Sequence, residues 1–94
     1  KEKYENILNQ MNEKVVKVIF DQNFKKYFKK IKNSSIKEKI IKQISKIKDN
    51  PEIGKPMKYS RKGTRELYIK PYRISYKVEK NTIFIFDLYH KDDQ

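Results

Sequence analysis

Arg61, Arg65 and Arg73 are the only arginines among 24 lysine and arginine residues, and all three fall in one short segment. An arginine guanidinium is planar, always charged and able to grip a phosphate through two parallel bonds, which a lysine ammonium cannot imitate. Keeping arginine here, in a chain that uses lysine everywhere else, marks a candidate oxyanion site. A fold-internal ion pair is the alternative reading of the same residues. The single histidine, His90, has an ordinary pKa of about 6.5, which suits it to proton transfer beside cations. Its alternative is a structural role, because strict alternation from Leu88 turns it toward the core. Lys58 and Lys70 are further candidate bases or phosphate contacts, since neighbouring cations depress a lysine pKa.

The elements that position these groups follow from the spacing of apolar residues. Tyr4, Ile7, Leu8 and Met11 have helical spacing, so residues 1–14 are read as an accessory N-terminal helix. Val15, Val16, Val18, Ile19 and Phe20 form a β-branched run that reads as a strand covered on both faces. Phe24, Tyr27, Phe28 and Ile31 define a second amphipathic helix, capped from Asp21 to Asn23. A third helix carries Ile36, Ile40, Ile41, Ile44 and Ile47, with Ser35 and Glu38 fitting a capping box, and Asp49-Asn50-Pro51 ends it. From Met57 the period changes to two. Leu67 and Ile69 mark one strand, Tyr72 to Val78 the next, and Thr82 to Tyr89 the last.

Burial decides between two registers for the last hairpin. Pairing Val78 with Phe84 aligns Tyr76 with Phe86 and Ile74 with Leu88, and requires a three-residue loop at Lys80 to Thr82. A two-residue loop sets Ile74 opposite Asp87 and Lys77 opposite Phe84, mixing polar and apolar groups on both faces, so the longer loop is expected. In that register Arg73, Ser75, Lys77, Ile85, Asp87 and Tyr89 share the face away from the helices, with Arg73 opposite Tyr89. A basic face carrying aromatic rings suits a single-stranded polynucleotide: charge for phosphate, a flat ring for a base.

Composition bounds the rest. The 94 residues suffice for one domain, residues 1–94, with a two-layer core, and a formal charge of +12 attracts polyanions over a Debye length of roughly 8 Å. Nucleic acid or an acidic protein is the expected partner, although a lysine-rich surface also arises in A+T-rich genomes and heat-adapted proteomes. Cysteine is absent, which excludes disulfides and a thiolate nucleophile, and one histidine gives no basis for a zinc site. No apolar run reaches the roughly 20 residues that span a bilayer, and no signal-peptide core opens the chain, so the expected compartment is the cytoplasm.

The order of elements and four motifs resemble the RelE/ParE superfamily of toxins from type II toxin–antitoxin modules. The motifs are Asn50-Pro51-Glu52-Ile53-Gly54-Lys55-Pro56, Arg65-Glu66-Leu67-Tyr68-Ile69, Pro71-Tyr72-Arg73-Ile74-Ser75-Tyr76 and Leu88-Tyr89-His90-Lys91. The resemblance implies an α+β, two-layer fold: an N-terminal strand and a helical hairpin packed on an antiparallel sheet of about four strands. Its RelE and YoeB-like members cut messenger RNA on the ribosome without metal or cofactor. Arg73 fits their strand arginine, and Tyr89-His90 resembles the YoeB-like tyrosine-histidine ending. Met57 stands where that branch has a glutamate, and Lys91 replaces its final tyrosine. The ParE-like branch, which poisons DNA gyrase, is the alternative, and a noncatalytic basic module is a third reading.

Metal-free RNA cleavage needs a proton acceptor for the 2′-hydroxyl, fixed positive charge for the phosphorane and a proton donor for the 5′-oxygen. Arg73 is the expected clamp and His90 the expected acid, with Arg65 and Lys70 as further catalytic candidates. Arg65 faces the core by alternation unless a bulge intervenes. Lys58, Arg61, Tyr68, Lys77, Tyr89 and Lys91 are the expected RNA contacts. The implied partners are an acidic antitoxin, the ribosome and mRNA.

Overall fold

A computed structural model describes residues 17–93. In chain order they form β1 (Lys17–Phe20), α1 (Gln22–Lys30), α2 (Ser34–Asp49), β2 (Lys55–Pro56), β3 (Arg65–Ile69), β4 (Tyr72–Glu79) and β5 (Thr82–His90). The five strands make one sheet in the order β1-β5-β4-β3-β2. β1 runs parallel to β5 and the other pairs are antiparallel. The two-layer α+β arrangement expected from the sequence is present, with β2 added and one pair parallel. The expected helix over residues 1–14, together with Val15 and Val16, lies outside the described residues.

Among the described residues, the strand read as covered on both faces is instead an edge of the sheet. Val18 and Phe20 are half-buried toward the helices, whereas Lys17 and Ile19 are exposed. A β-branched run signals strand preference, but only the sheet order decides whether a second layer covers its other face.

Both helices begin on a side-chain cap. The Asp21 carboxylate accepts from the Asn23 backbone N–H, and Asn33 Oδ1 accepts from the Ile36 N–H at 3.2 Å. Asn33, and not the Ser35–Glu38 capping box, therefore starts α2, because its amide oxygen already meets an orphan donor of the first turn. Phe24, Ile31, Ile40, Ile44 and Ile47 pack against Ile69, Ile74, Tyr76, Ile83, Ile85 and Leu88 to form the core. Ile41 is 53% exposed, since it sits about 100° round the helix from Ile40 and leaves the stripe.

The β4–β5 hairpin combines the two registers. Near the turn the loop has two residues, with Lys80 at φ 54°, and Lys77 pairs with Phe84, Tyr76 with Ile85 and Val78 with Ile83. Between Ser75 and Tyr76 the register shifts by one, leaving Phe86 as the extra residue of a β-bulge. Beyond it Ile74 meets Leu88 and Arg73 meets Tyr89, as expected. The bulge resolves the conflict that argued against the short loop. Ile83 and Ile85 face the core before it, Leu88 faces the core after it, and all three are fully buried. Ile85 is thus a core residue and not part of the outer face.

A second fastening holds the connector after α2. Tyr76 Oη donates to the Pro51 carbonyl and accepts from the Gly54 N–H, each at 2.8 Å. A Cβ on Gly54 would lie 2.5 Å from that oxygen, so only glycine allows the approach. Arg65 Nη1 donates to the carbonyls of Gly54, at 2.7 Å, and Glu52, at 3.1 Å. Burial pushes the Tyr76 hydroxyl pKa up, partly offset by the Gly54 N–H and the Arg65 charge.

Candidate functional site

Strand pairing assembles the site on the sheet face away from the helices. β3 and β4 place Glu66 opposite Ser75 and Tyr68 opposite Arg73, while β5 places Tyr89 opposite Arg73. Alternation then puts all five side chains on one face. Arg61 arrives from outside the sheet, at the end of a 3₁₀ turn spanning Tyr59–Arg61 that begins with Tyr59 at φ 60°.

Glu66 is the centre of this group, with a side chain only 5% exposed. Its Oε1 accepts from Arg73 Nη1 at 2.8 Å. Its Oε2 faces Arg61 Nη2 at 3.2 Å, accepts from the Tyr89 hydroxyl, and lies 3.5 Å from Ser75 Oγ. Arg61 Nη2 also donates to Ser75 Oγ at 3.3 Å. Burial alone raises the Glu66 pKa. Hydrogen bonds from Tyr89 and Arg73 and the charges of both arginines outweigh that and leave it below the ordinary carboxylate value. The Arg73 pKa is raised, chiefly by its hydrogen bond to Glu66. That of Arg61 is raised chiefly by its hydrogen bond with Tyr89.

An ionised, donor-saturated carboxylate is a weak base, so the chemistry offered here is anion recognition. The Arg73 side chain remains 33% exposed and that of Arg61 43% exposed. Arg73 Nε is a buried donor without a hydrogen-bond partner. The Arg73 guanidinium lies 5.5 Å from the centre of the Tyr68 ring, which is 48% exposed. Beside them opens a cavity of about 410 Å³ lined by Ile53, Lys55, Glu66, Leu67, Tyr68 and Arg73. Cation, open aromatic face and cavity together suit a nucleotide better than a small inorganic ion.

This fold has known counterparts. Residues 18–94 match the family described as the ParE toxin of the type II toxin–antitoxin system parDE. The chain belongs to the ParE toxin family. Solved structures with the same fold include the RelBE2 toxin–antitoxin complex of Mycobacterium tuberculosis (TM-score 0.70, 20% identity, covering 80% of this chain and 90% of that one). The intact E. coli RelBE complex is similar at TM-score 0.69 and 19% identity, over 80% of this chain and 95% of that one. The YoeB dimer of Staphylococcus aureus is similar at 0.68 and 22%, over 81% and 98%. Comparison with curated protein sequences found no match. The protein is a toxin of a type II toxin–antitoxin system within the RelE/ParE superfamily.

In this ParE-family toxin the residues predicted from sequence divide between the two sheet faces. Arg61, Arg73, Tyr68 and Tyr89 come together around Glu66. Arg65 does not, because its guanidinium is spent on the Glu52 and Gly54 carbonyls on the core side. His90 also lies on that side: it pairs across the ladder with Tyr72 and meets its ring edge-on at 5.4 Å. Its Nδ1 accepts from the Asp92 N–H at 3.2 Å. Strand parity therefore holds to the end of β5. Lys77 shares the outer face but lies four residues along β4 from Arg73, roughly 13 Å away, pairing with Glu79 at 3.1 Å and lying over Phe84. It lines a separate groove of about 500 Å³ beside Ile19, Phe84 and Phe86. Lys58, Lys70 and Lys91 are exposed in turns around the sheet.

Glu66 is the residue that sequence reasoning missed. Asp87, the acid expected on the same face as Arg73, accepts through Oδ1 from the Leu88 N–H. The available signal was parity: an acid one residue from Leu67 must share the outer face with Tyr68, and so meet the arginine of the next strand.

Proposed function

We propose that this toxin is an mRNA endonuclease acting on the ribosome and held inactive by an acidic antitoxin. The observation that carries this reading is the convergence of Arg61, Arg73 and Tyr89 on one buried carboxylate, with both guanidiniums left partly open. In such a reaction the 2′-oxygen attacks phosphorus and gives up its proton to a solvent water, the bond to the 5′-oxygen breaks, and that oxygen gains a proton. Arg73 and Arg61 supply fixed charge for the phosphorane, worth about 10²- to 10³-fold for one preorganised donor. The Tyr89 hydroxyl can turn from Glu66 to protonate the leaving oxygen. Tyr68 and the adjoining cavity receive a neighbouring base, and Lys77 extends the phosphate track.

The antitoxin reading rests on the RelBE complexes sharing this fold and on the formal charge of +12. The surface charge should make antitoxin binding strongly salt-dependent.

A second reading is poisoning of DNA gyrase, favoured by the match to the parDE toxin family and by the placement of His90 away from the cluster. Mapping of mRNA 5′ ends in a translating extract decides between them. New ends at ribosome positions with the intact toxin, absent with Arg73→Ala, are the expected result. Inhibited DNA supercoiling with intact message would establish the gyrase reading instead.

A further inference from the structure

We propose that Glu66 is the resident anion of a phosphodiester cradle: it positions Arg61 and Arg73 and sets how tightly that cradle grips backbone phosphate. The binding half of this proposal stands alone, and the rate half rests on the RNA-cleavage reading above.

A carboxylate presents two oxygens on one centre with a single negative charge, as a phosphodiester does through its two non-bridging oxygens. The same donors serve either. Here Arg73 Nη1, Arg61 Nη2, the Tyr89 hydroxyl and Ser75 Oγ all surround one carboxylate. Covering the outer sheet face does not require such an arrangement, because apolar residues of similar volume replace buried ion pairs at little or no cost. The arginines are also only partly used. The Arg73 side chain is 33% exposed and that of Arg61 43% exposed. Glu66 engages one nitrogen of each guanidinium, and both side chains keep exposed surface.

Charge gives this arrangement a distinctive signature. Two arginines and one glutamate sum to +1, which a phosphodiester neutralises. Replacing Glu66 by glutamine raises the cradle to +2 while keeping its shape. Binding should then tighten, yet the guanidiniums lose the anion that fixes their direction, so the chemical step should slow. A carboxylate that merely stabilises the fold would not move affinity and rate in opposite directions.

The experiment compares the intact chain with Glu66→Gln, using an eight-nucleotide single-stranded RNA made uncleavable by 2′-O-methyl groups. Glu66→Gln is expected to bind about 3- to 10-fold more tightly at low salt, with a steeper salt dependence by about 0.7 in log–log slope. Single-turnover cleavage of ribosome-bound message should fall by about 10-fold or more. Unchanged or weaker binding by Glu66→Gln overturns the cradle, and tighter binding with undiminished cleavage overturns the positioning role. If the intact chain cuts no message, the cleavage reading fails while the binding comparison still judges the cradle. Should Glu66→Gln not fold, Arg61→Gln provides the decision, because it leaves the Glu66–Arg73 pair in place. It should bind RNA about 3- to 10-fold more weakly, and unchanged affinity overturns the proposal.

Discussion

Two arginine–tyrosine pairs lie on opposite faces of the sheet, Arg65–Tyr76 across β3 and β4 and Arg73–Tyr89 across β4 and β5, and they do opposite things. On the core side, Tyr76 and Arg65 close on the backbone of Pro51, Glu52 and Gly54. On the outer side, Tyr89 and Arg73 close on the Glu66 carboxylate. The first pair spends its polar atoms on neutral carbonyls and one amide, and Tyr76 is wholly buried. The second pair binds a charge and keeps guanidinium surface open. Residue type therefore says little about role. What separates a structural clasp from a recognition site is whether a cation's partners are exhausted within the chain.

Tyr76→Ala should break the clasp most severely. It removes a buried ring and both hydrogen bonds, costing about 3–5 kcal/mol, as measured by chemical denaturation. Any loss of toxicity in this variant should track the unfolded fraction. A smaller cost would mean that the connector is held by other contacts.

Arg73→Ala sharpens the contrast from the other face. Growth inhibition and message cleavage should fall by about 10²-fold or more, a loss larger than the unfolded fraction explains, because Arg61 and Tyr89 still hold the Glu66 carboxylate. Lysine at this position should restore only part of the activity, since it keeps the charge and loses the fork. Full toxicity in Arg73→Ala would remove Arg73 from the clamp.

Arg65→Ala is the matching change on the core side. Loss of its bonds to the Glu52 and Gly54 carbonyls should cost about 1.5–3 kcal/mol of stability. Cleavage per folded molecule should stay unchanged. A specific activity loss as large as that of Arg73→Ala would erase the distinction between the two faces.

The smallest effect expected is pH-dependent. The folded Glu66 pKa lies below its ordinary value of 4.5. Its contribution to stability is therefore fully present above about 4.5 and is lost as pH falls through the folded pKa. Urea denaturation between pH 6 and pH 3 should show this acid limb in the intact chain and a shallower one in Glu66→Gln. An identical limb in both would assign the acid sensitivity to other carboxylates.

How much of this was legible in the sequence differs from element to element. The helical stripe of Ile40, Ile44 and Ile47 and the two-residue alternation of β3 and β4 are local periodicities, and they fixed element type and most of the core. The Arg73–Tyr89 pair was also legible, because burial of Ile74 against Leu88 dictates its register. The motifs quoted above carried the family resemblance as well. The bulge at Phe86 was not legible: it exists because Ile83, Ile85 and Leu88 must all reach one core, a demand that no single strand states.

Glu66 shows the same division of information. Its parity was written in β3, but its partners come from three separate places: the Tyr59–Arg61 turn, β4 and β5. Sequence determines what each side chain can do and which way a strand points it. Only the tertiary structure decides which charges meet, because Coulomb and hydrogen-bond energies depend on distances that chain order does not contain.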